Sequence, residues 1–210
     1  MIDVIQGSEA WAKCRLGKVT ASRVADVIAR TKSGYSTSRA NYAAQLIVER
    51  LTGIPTESFT NAAMQWGTET EPEARIAYAF YANVDVEQIG FVDHPMIAMT
   101  GASPDGLVGD DGLIEIKAPH TATHLDMLTT QKVPGKYITQ MMWQMACTNR
   151  SWCDFVSYDP RLPEHLRLFV KRIQRDDALI QDLETEVIIF LKEVDDKLAA
   201  LDALDERAAA

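Results

Sequence analysis

A short acidic motif constrains this 210-residue chain more than any other feature. Asp105 stands in a Ser-Pro-Asp-Gly sequence, and Glu115 and Lys117 follow within an alternating apolar stretch at residues 113–117. The alternation predicts a β-strand, in which side chains two residues apart share a face, so Glu115 and Lys117 should point the same way. The Pro-Asp-Gly sequence favours a turn, which would bring the Asp105 carboxylate back towards them.

Two carboxylates and an amine at one end of a sheet suit a hard divalent cation with a water molecule beside it. This is the chemistry of metal-assisted phosphodiester hydrolysis. The same residue types also occur by chance, and a strand with Glu and Lys two apart is commonly a solvated face. The context favours a site, because Ile114 and Ile116 indicate a buried strand and the glycines of residues 101–106 permit close backbone approach to a ligand. The segment is not a nucleophile elbow, because its glycines are wrongly spaced around Ser103.

A second acidic cluster precedes the motif. Glu69, Glu71 and Glu73 lie near the start of a helix predicted over residues 68–82, with Pro72 in the first turns, where proline is tolerated. Acidic residues there complement the positive end of the helix dipole, which explains two of the three glutamates without any function. We interpret Glu71 as a further metal ligand.

Composition predicts an ordinary globular chain with one domain over residues 1–210. Hydrophobic residues make up 47% and charged residues 24%. No apolar stretch approaches the ~18 residues of a membrane span, and no signal peptide is visible. Three cysteines without metal-binding spacing indicate free thiols in a reducing, cytoplasmic compartment. His120 and His124 have no partner ligands nearby in sequence and are expected on the surface.

The formal net charge of −9 is unusual for a protein that binds phosphodiesters. The charge is unevenly distributed, however. Residues 1–50 carry eight Lys or Arg against four Asp or Glu, a local charge of +4, whereas residues 176–210 carry three against eleven, a local charge of −8. Either the basic part contacts nucleic acid or both parts are ordinary solvated faces.

The order of predicted elements indicates an α/β fold, with a central mixed sheet between helices. Helices are predicted over residues 21–30, 36–51, 68–82, 121–130, 136–148 and about 176–204. Strands are predicted over residues 84–92, 96–100, 107–108, 113–117, 152–158 and 166–173. The last helix carries apolar residues at alternating spacings of three and four, which fits a coiled-coil seam or, more commonly, packing along its own domain.

Six short segments occur in an order that resembles one nuclease family. They are Trp11-x3-Arg15-Leu16-Gly17-x2-Thr20-Ala21-Ser22, Trp66-Gly67-x3-Glu71, Ser103-Pro104-Asp105-Gly106, Glu115-Ile116-Lys117, Tyr137-x2-Gln140 and Tyr158-Asp159-Pro160-Arg161. Over roughly residues 8–175 the chain resembles the phage lambda exonuclease family, a branch of the PD-(D/E)xK nucleases. The resemblance implies the single-domain PD-(D/E)xK fold.

Carried over residue by residue, the resemblance implies two catalytic magnesium ions, for which manganese can substitute. Asp105 and Glu115 would bind metal, Glu71 would serve a second ion, and the Ile116 carbonyl would be a further ligand. Lys117 would position the attacking water. Gln140 resembles a glutamine that contacts the site from the following helix.

The resemblance also implies DNA contacts. Arg15, Ser22 and Ser103 resemble a pocket for the 5′-phosphate of the degraded strand. Lys32 stands where the family has an arginine that reaches into the DNA, and Met64 stands where the family has an apolar wedge between terminal base pairs. Wider PD-(D/E)xK relatives have a tyrosine four residues after the glutamine. Because this chain has Gln144 there, no role is assigned to it.

The implied activity is 5′→3′ digestion of one strand of double-stranded DNA from 5′-phosphorylated ends to mononucleotides. The remaining 3′ single strand would serve phage recombination by strand annealing. Family members form ring-shaped trimers, and the implied partner is a single-strand annealing protein in the cytoplasm of a bacterial host. The alternatives are a restriction-like or structure-specific endonuclease of the same fold, and a non-catalytic DNA-end-binding protein.

Overall fold

The computed structural model describes residues 4–56 and 62–208, without the side chains of Met64 and residues 205–208. The apolar wedge expected at Met64 therefore falls outside the described side chains. The helices are α1 Glu9–Arg15, α2 Val24–Ile28, α3 Thr37–Thr52, α4 Ala62–Ala82, α5 Thr121–Thr130, α6 Gly135–Thr148 and α7 Asp177–Ala208. The strands are β1 Val19–Thr20, β2 Arg30–Thr31, β3 Gly34–Tyr35, β4 Val92–Asp93, β5 Thr100–Ala102, β6 Gly106–Val108, β7 Gly112–Lys117, β8 Trp152–Tyr158 and β9 Leu168–Gln174.

A four-stranded sheet in the order β6-β7-β8-β9 carries the motif strand near its centre. β7 runs parallel to β8 and antiparallel to β6, and β9 is antiparallel to β8. A smaller sheet in the order β1-β5-β4 and a two-stranded hairpin of β2 and β3 complete the pairing in the described chain. The predicted α/β fold with a mixed sheet between helices is confirmed.

The side chains of β7 alternate between two buried clusters on opposite faces of the sheet. Leu113 belongs to the larger cluster, which includes α6 and α7 residues, whereas Ile114 and Ile116 pack with Ala74 and Tyr78 of α4. This alternation, which follows from strand geometry, leaves residues 115 and 117 on the α6 side. The packing of the two isoleucines therefore fixes the orientation of the motif's polar side chains.

Helix α7 packs along its own domain, as favoured from its sequence. Ile180, Leu183, Val187 and Val194 are at most 3% exposed and belong to the larger cluster. Beyond them the stripe reaches solvent, and Leu201 is 42% exposed. Burial of the stripe within the chain accounts for the periodicity without a coiled coil.

Helix α4 differs from its prediction. Its described part begins at Ala62, so Pro72 lies in the helix interior and Glu69, Glu71 and Glu73 are not in the first turn. The helix-dipole explanation of these glutamates is therefore wrong. Proline in a helix interior loses one backbone hydrogen bond. Burial of the α4 face against the sheet offsets this local cost.

Three other predicted elements are shorter or absent. Residues 84–92 form only one isolated bridge, Glu87 to Leu107, before β4, and residues 96–100 are mostly turn. Residues 21–30 divide into a 3₁₀ turn, Ala21–Arg23, and the short α2. The helix stops there because Arg30 enters the β2–β3 hairpin, where its Nη2 donates to the Glu186 carboxylate of α7 at 2.7 Å.

The turn of the motif hairpin lies at residues 109–111, not at the Pro-Asp-Gly sequence that was expected to form it. Gly109 adopts a left-handed conformation there, with φ of 53°. Arg150, which follows α6, donates from Nη1 to the carbonyls of Gly109 and Gly112, both at 2.7 Å. One guanidinium therefore closes the turn from outside.

Candidate active site

Strand pairing brings the two motif carboxylates together. Gly106 of β6 pairs with Ile114 of β7, and this antiparallel register sets Asp105 across from Glu115. The Asp105 Oδ2 accepts a hydrogen bond from the Ile116 amide at 2.6 Å, which fixes the carboxylate against the motif strand. The Lys117 Nζ forms an ion pair with the Glu115 Oε1. The expected convergence of Asp105, Glu115 and Lys117 is therefore present.

Helix α6 holds both oxygens of the Glu115 carboxylate. Gln140 donates from Nε2 to Oε1 at 2.7 Å, and Gln144 donates from Nε2 to Oε2 at 2.6 Å. Gln144 and Glu115 are fully buried. Gln144 is the site residue that sequence reasoning missed. Its spacing of four from Gln140, which places both amides on one helix face, was the available signal.

Glu71 approaches the same cluster from α4. Its carboxylate pairs with Arg75, whose Nε also donates to the Asp105 carbonyl at 3.3 Å. Burial raises the pKa of Glu71, as does the charge of Glu115, while the Arg75 guanidinium opposes this shift. Glu71 thus lies within electrostatic reach of the motif carboxylates.

The other two glutamates of the acidic cluster have separate partners. Glu69 accepts from the Gln65 side chain at 2.8 Å, and Glu73 accepts from the Tyr158 hydroxyl at 2.7 Å. Only Glu71 of the three lines the cavity beside the motif. Glu71, the glutamate that the sequence interpretation selected, is therefore the one of the three that lies at this cavity.

The site concentrates negative charge in a buried setting. Burial raises the pKa of Asp105 well above its ordinary value, and the carboxylates of Glu115 and Glu71 add to the rise. Burial acts to lower the pKa of Lys117, but the attraction of Glu115 and Asp105 outweighs it and raises that pKa. Lys117 is therefore a stable cation facing crowded carboxylates.

The donor set fits a hard divalent cation. No group of three or more His, Cys, Asp or Glu side chains is gathered around one point in the described part of the chain. Asp105 and Glu115 nevertheless face each other across β6 and β7 and offer carboxylate oxygens, the type of donor that magnesium prefers when water or phosphate completes its shell. A cation there would offset the charge crowding that raises the pKa of Asp105.

A cavity of about 700 Å³ opens beside this cluster. Asp105, Lys117, Gln140 and Glu71 line it, together with Lys136 from the start of α6. We call it the reaction cleft. Its volume lies within the roughly 300–1,000 Å³ typical of ligand sites.

A smaller cavity of about 170 Å³ adjoins the cleft and brings together Arg15, Ser22 and Ser103. Asp105 and Ser22 line both cavities. The Arg15 guanidinium lies 3.9 Å from the centre of the Trp11 ring, and Trp11 Nε1 donates to the Ser103 hydroxyl at 2.9 Å. We call this space the inner pocket.

Arg15 makes no ion pair with the residues the structure describes. Burial lowers the pKa of Arg15. Ser22 lies inside the 3₁₀ turn and does not cap it, because Thr20 occupies the capping position. The turn is too short to supply the free backbone amides of a helix N-terminus. The polar groups that line the pocket are therefore a guanidinium without an ion pair, the hydroxyls of Ser22 and Ser103, and the side chains of Gln6, Thr20, Asp105 and Gln140.

Three other residues that were singled out from the sequence lie apart from these cavities. Lys32 is exposed in the β2–β3 turn and lines neither the cleft nor the inner pocket. His124 is fully buried, with ring nitrogens 2.7 Å from the Ser157 hydroxyl and 2.8 Å from the Leu166 carbonyl, so its expected surface position is wrong. It packs there because both ring nitrogens have partners. His120 is exposed as expected.

Comparison with known proteins assigns the family. Residues 10–151 match the YqaJ-like viral recombinase domain. The chain belongs to this family. The crystal structure of LHK-Exo, an alkaline exonuclease from Laribacter hongkongensis, is 54% identical, with a TM-score of 0.90 over 96% of this chain and 100% of that one. The same values hold for LHK-Exo in complex with dAMP. The resemblance inferred from the six motifs is confirmed.

A phage-related exonuclease from Haemophilus somnus 129PT shares the fold at 17% identity, with a TM-score of 0.73 over 90% of this chain and 99% of that chain. No curated protein sequence matches the chain. Within the described residues, none of the helices combines the length and apolar character needed to cross a membrane. The family and the LHK-Exo relationship support a nuclease role in recombination.

Proposed function

We propose that this protein is a magnesium-dependent 5′→3′ exonuclease that digests one strand of double-stranded DNA from 5′-phosphorylated ends. One observation carries the proposal: the inner pocket, with the unpaired Arg15, shares Asp105 with the reaction cleft. A terminal phosphate held by Arg15 would place the next phosphodiester beside the carboxylates, which favours release of single nucleotides. The bound ligand of LHK-Exo, dAMP, is of the same chemical class as that product.

Different residues of the chain have different roles in the proposed hydrolysis. Asp105, Glu115 and the Ile116 carbonyl would hold magnesium, with Glu71 serving a second ion, and manganese can substitute because it takes the same oxygen donors. When bound, the metal lowers the pKa of a water molecule and offsets phosphate charge. Lys117 orients the attacking water from the same face of β7 and stabilises charge on the phosphate.

Gln140 and Gln144 act on the carboxylate rather than on the substrate. Each donates one hydrogen bond to a different oxygen of Glu115, so the carboxylate keeps one orientation. Arg75 does the same for Glu71 while it binds the Asp105 carbonyl. These contacts preorganise the ligand oxygens, which reduces the rearrangement needed when substrate arrives.

Direction follows from the inner pocket. Arg15 supplies a charged fork for the 5′-phosphate, and Ser22 and Ser103 supply hydroxyl donors. We assign Lys32 a contact with the duplex and Met64 a contact with the terminal base pair, both from the family resemblance. Arg15 and Lys32 support DNA binding on this part of the chain, because they are the basic residues of its first fifty positions that make no ion pair within the described residues.

We further propose a homotrimeric ring that encloses DNA and delivers a 3′ single strand to an annealing protein, in the cytoplasm of a bacterium that carries the phage or prophage. The exposed side chains Ile76 and Phe80, at 72% and 90% exposure on one face of α4, support a protein contact there. Light scattering should give about three times the 23.4 kDa chain mass. A fully active monomer would refute the ring.

Incubation of linear 5′-phosphorylated duplex and closed circular duplex with magnesium or EDTA tests the activity. We expect mononucleotides from the linear duplex with magnesium, and no products from the circle or with EDTA. Cleavage of the circle would identify an endonuclease of the same fold. Binding of ends without any hydrolysis would identify a non-catalytic end-binding protein.

A further inference from the structure

A third cavity adjoins the inner pocket. Its volume is about 490 Å³, and it shares Trp11, Arg15, Thr20 and Ser22 with the inner pocket. Ser22 lines all three cavities. We call the third space the outer cavity. The inner pocket and the outer cavity therefore share one wall, and Arg15 is part of it.

The outer cavity has the dimensions and walls of a site for a small organic molecule. Its volume lies within the roughly 300–1,000 Å³ typical of such sites. Trp11, Leu16, Leu46 and Pro55 provide apolar and aromatic surface, which suits a nucleobase and its sugar. The inner pocket, at about 170 Å³, is much smaller. A phosphate suits the small space and a nucleoside the large one.

The charges in the outer cavity favour an uncharged occupant. Lys18 pairs with Asp93 at 2.5 Å, and Arg23 pairs with Asp26 at 2.6 Å, so both cations are already neutralised. Glu49 adds a buried carboxylate to the wall. A second phosphate in this cavity would be repelled by the Glu49 carboxylate, because Arg15 is the one lining cation without an ion pair among the described residues. An uncharged nucleoside would not be repelled.

Hydrogen bonding fixes Glu49 in place. Its Oε2 accepts from the Gly17 amide at 2.9 Å, and its Oε1 accepts from the Gln45 side chain at 2.9 Å and the Thr56 amide at 3.3 Å. The carboxylate is therefore held by its own loop and helix neighbours. It is a fixed part of the wall and does not swing away to admit a phosphate.

We propose that the outer cavity is a nucleoside subsite that accepts the first nucleoside of a strand whose 5′ end lacks a phosphate. The proposal rests on the proposed function, in which Arg15 binds a phosphate. With no terminal phosphate, the first internal phosphodiester takes the inner pocket and the preceding nucleoside enters the outer cavity. The strand is then cut one nucleotide further along, and its first product is a dinucleoside monophosphate.

The chemistry is the same hydrolysis in a shifted register. Water attacks the phosphorus between the second and third nucleotides, the bond from phosphorus to the 3′ oxygen breaks, and that oxygen leaves with a proton. The released product has a 5′-hydroxyl, one internal phosphate and a 3′-hydroxyl. The shortened strand now carries a 5′-phosphate, so later products are mononucleotides from the ordinary register.

The identity of the first product tests the proposal. Two linear duplexes of one sequence, beginning 5′-dA-dC and bearing either a 5′-hydroxyl or a 5′-phosphate, are incubated with enzyme and magnesium and analysed by mass spectrometry. We expect the dinucleoside monophosphate of dA and dC from the hydroxyl end, and only mononucleotides from the phosphate end. Free deoxyadenosine as the first product, or no digestion from the hydroxyl end, would overturn the subsite. Failure to release mononucleotides from the phosphate end would instead overturn the proposed function, and the subsite with it.

A matched pair of variants assigns the product to this cavity. Ala12 of α1 lines the outer cavity but not the inner pocket, whereas Ala10 of the same helix is exposed and lines neither. Ala12→Phe should reduce the dinucleoside yield roughly tenfold or more relative to Ala10→Phe, because the ring fills the space that the nucleoside needs. Digestion of the phosphate-ended duplex reports folding in both variants. Equal dinucleoside yields would show that the nucleoside lies elsewhere.

Discussion

The Gln144 side-chain amide donates to the Glu115 Oε2 at 2.6 Å, both side chains being fully buried. Gln140 holds the other oxygen at 2.7 Å, so α6 fixes the carboxylate at two points. A hydrogen bond to a buried charged group is worth roughly 1.5–3 kcal/mol. Loss of either amide should therefore disturb the orientation of Glu115 rather than remove its charge.

Gln144→Met keeps the side-chain length but removes the donor. We expect the magnesium concentration for half-maximal rate to rise about tenfold or more, because Glu115 is held at one point only. Thermal unfolding with and without magnesium should show a smaller stabilisation by the metal. Gln181→Met, at an exposed position on α7, is the control. An unchanged metal requirement would mean that the Gln144 contact only supports packing.

Asp105→Asn tests the charge of the proposed metal ligand while keeping the shape of the side chain. The amide oxygen can still accept from the Ile116 backbone, so the fold should persist. Hydrolysis should fall to background, as it should for Glu115→Ala, because each change removes a charged ligand from a hard-cation site. Binding of DNA ends, measured by fluorescence anisotropy, should largely survive. Near-normal turnover in either variant would rule out the site assignment.

Lys117→Ala should reduce the rate by about two to four decades, on the order of 3–5 kcal/mol. The ammonium lies against Glu115 on the cleft side of β7, where it can orient water and stabilise charge on phosphate. Single-turnover kinetics measure this step. Lys117→Arg should not restore the rate, because the planar guanidinium has a different shape and reach. Full rescue by arginine would leave only a general role for positive charge.

Removing the 5′-phosphate from a duplex should slow its digestion by about 30- to 1,000-fold, the loss of charge-assisted hydrogen bonds worth roughly 2–4 kcal/mol. Arg15→Ala should shrink this preference, because the free guanidinium is the strongest phosphate-binding group of the inner pocket. The preference is measured as the ratio of digestion rates on two duplexes of the same sequence, one with and one without the 5′-phosphate. If Arg15→Ala lowers both rates equally, the directional pocket is elsewhere.

Asp159 should contribute to stability in a pH-dependent way. Burial acts to raise its pKa, but hydrogen bonds from Arg161 and Thr121 outweigh it and lower the pKa to about 2. A lowered carboxyl pKa stabilises the fold above the unfolded value near ~3.9, and the contribution disappears as pH falls through the folded value. Asp159→Asn should lower the free energy of unfolding by about 2 kcal/mol near pH ~7, as measured by urea unfolding. The difference in unfolding free energy between the variant and the unaltered protein should become smaller below pH ~4. A difference in unfolding free energy that does not change with pH would contradict this role of the Asp159 charge.

The parts of the fold that follow from local pattern were predictable. The alternation of Ile114 and Ile116 predicted both the motif strand and the shared face of its polar residues. Residues 84–92 carry a similar apolar pattern, yet of them only Val92 belongs to a strand, β4. Val84 and Val86 pack on the α4-side cluster, and Glu87 forms one isolated bridge. The periodicity of apolar residues indicates which side chains are buried. Whether the backbone forms a strand depends on whether a neighbouring strand has an unpaired edge.

The candidate site was predictable where chemistry needs a particular residue type. Asp105, Glu115 and Lys117 could be selected from their charges and spacing, whereas Gln144 is an uncharged residue whose importance lies in a contact with β7 from another element. Pro72 misled the placement of α4, because a local rule about helix starts was overridden by burial of Ala74 and Tyr78. The incorrect predictions concern features that are determined by tertiary contacts and not by the local sequence.

The Arg150 contacts with the motif hairpin have a consequence for how the molecule opens. Arg150 follows α6 directly and binds the hairpin turn, while Gln140 and Gln144 bind the far end of the same strand. Helix and hairpin are thus fastened at both ends and form one cooperative unit. Fluctuations that expose the fully buried Glu115 carboxylate must therefore separate this helix from this hairpin, so we expect the backbone amides of β7 to be among the slowest to exchange with solvent.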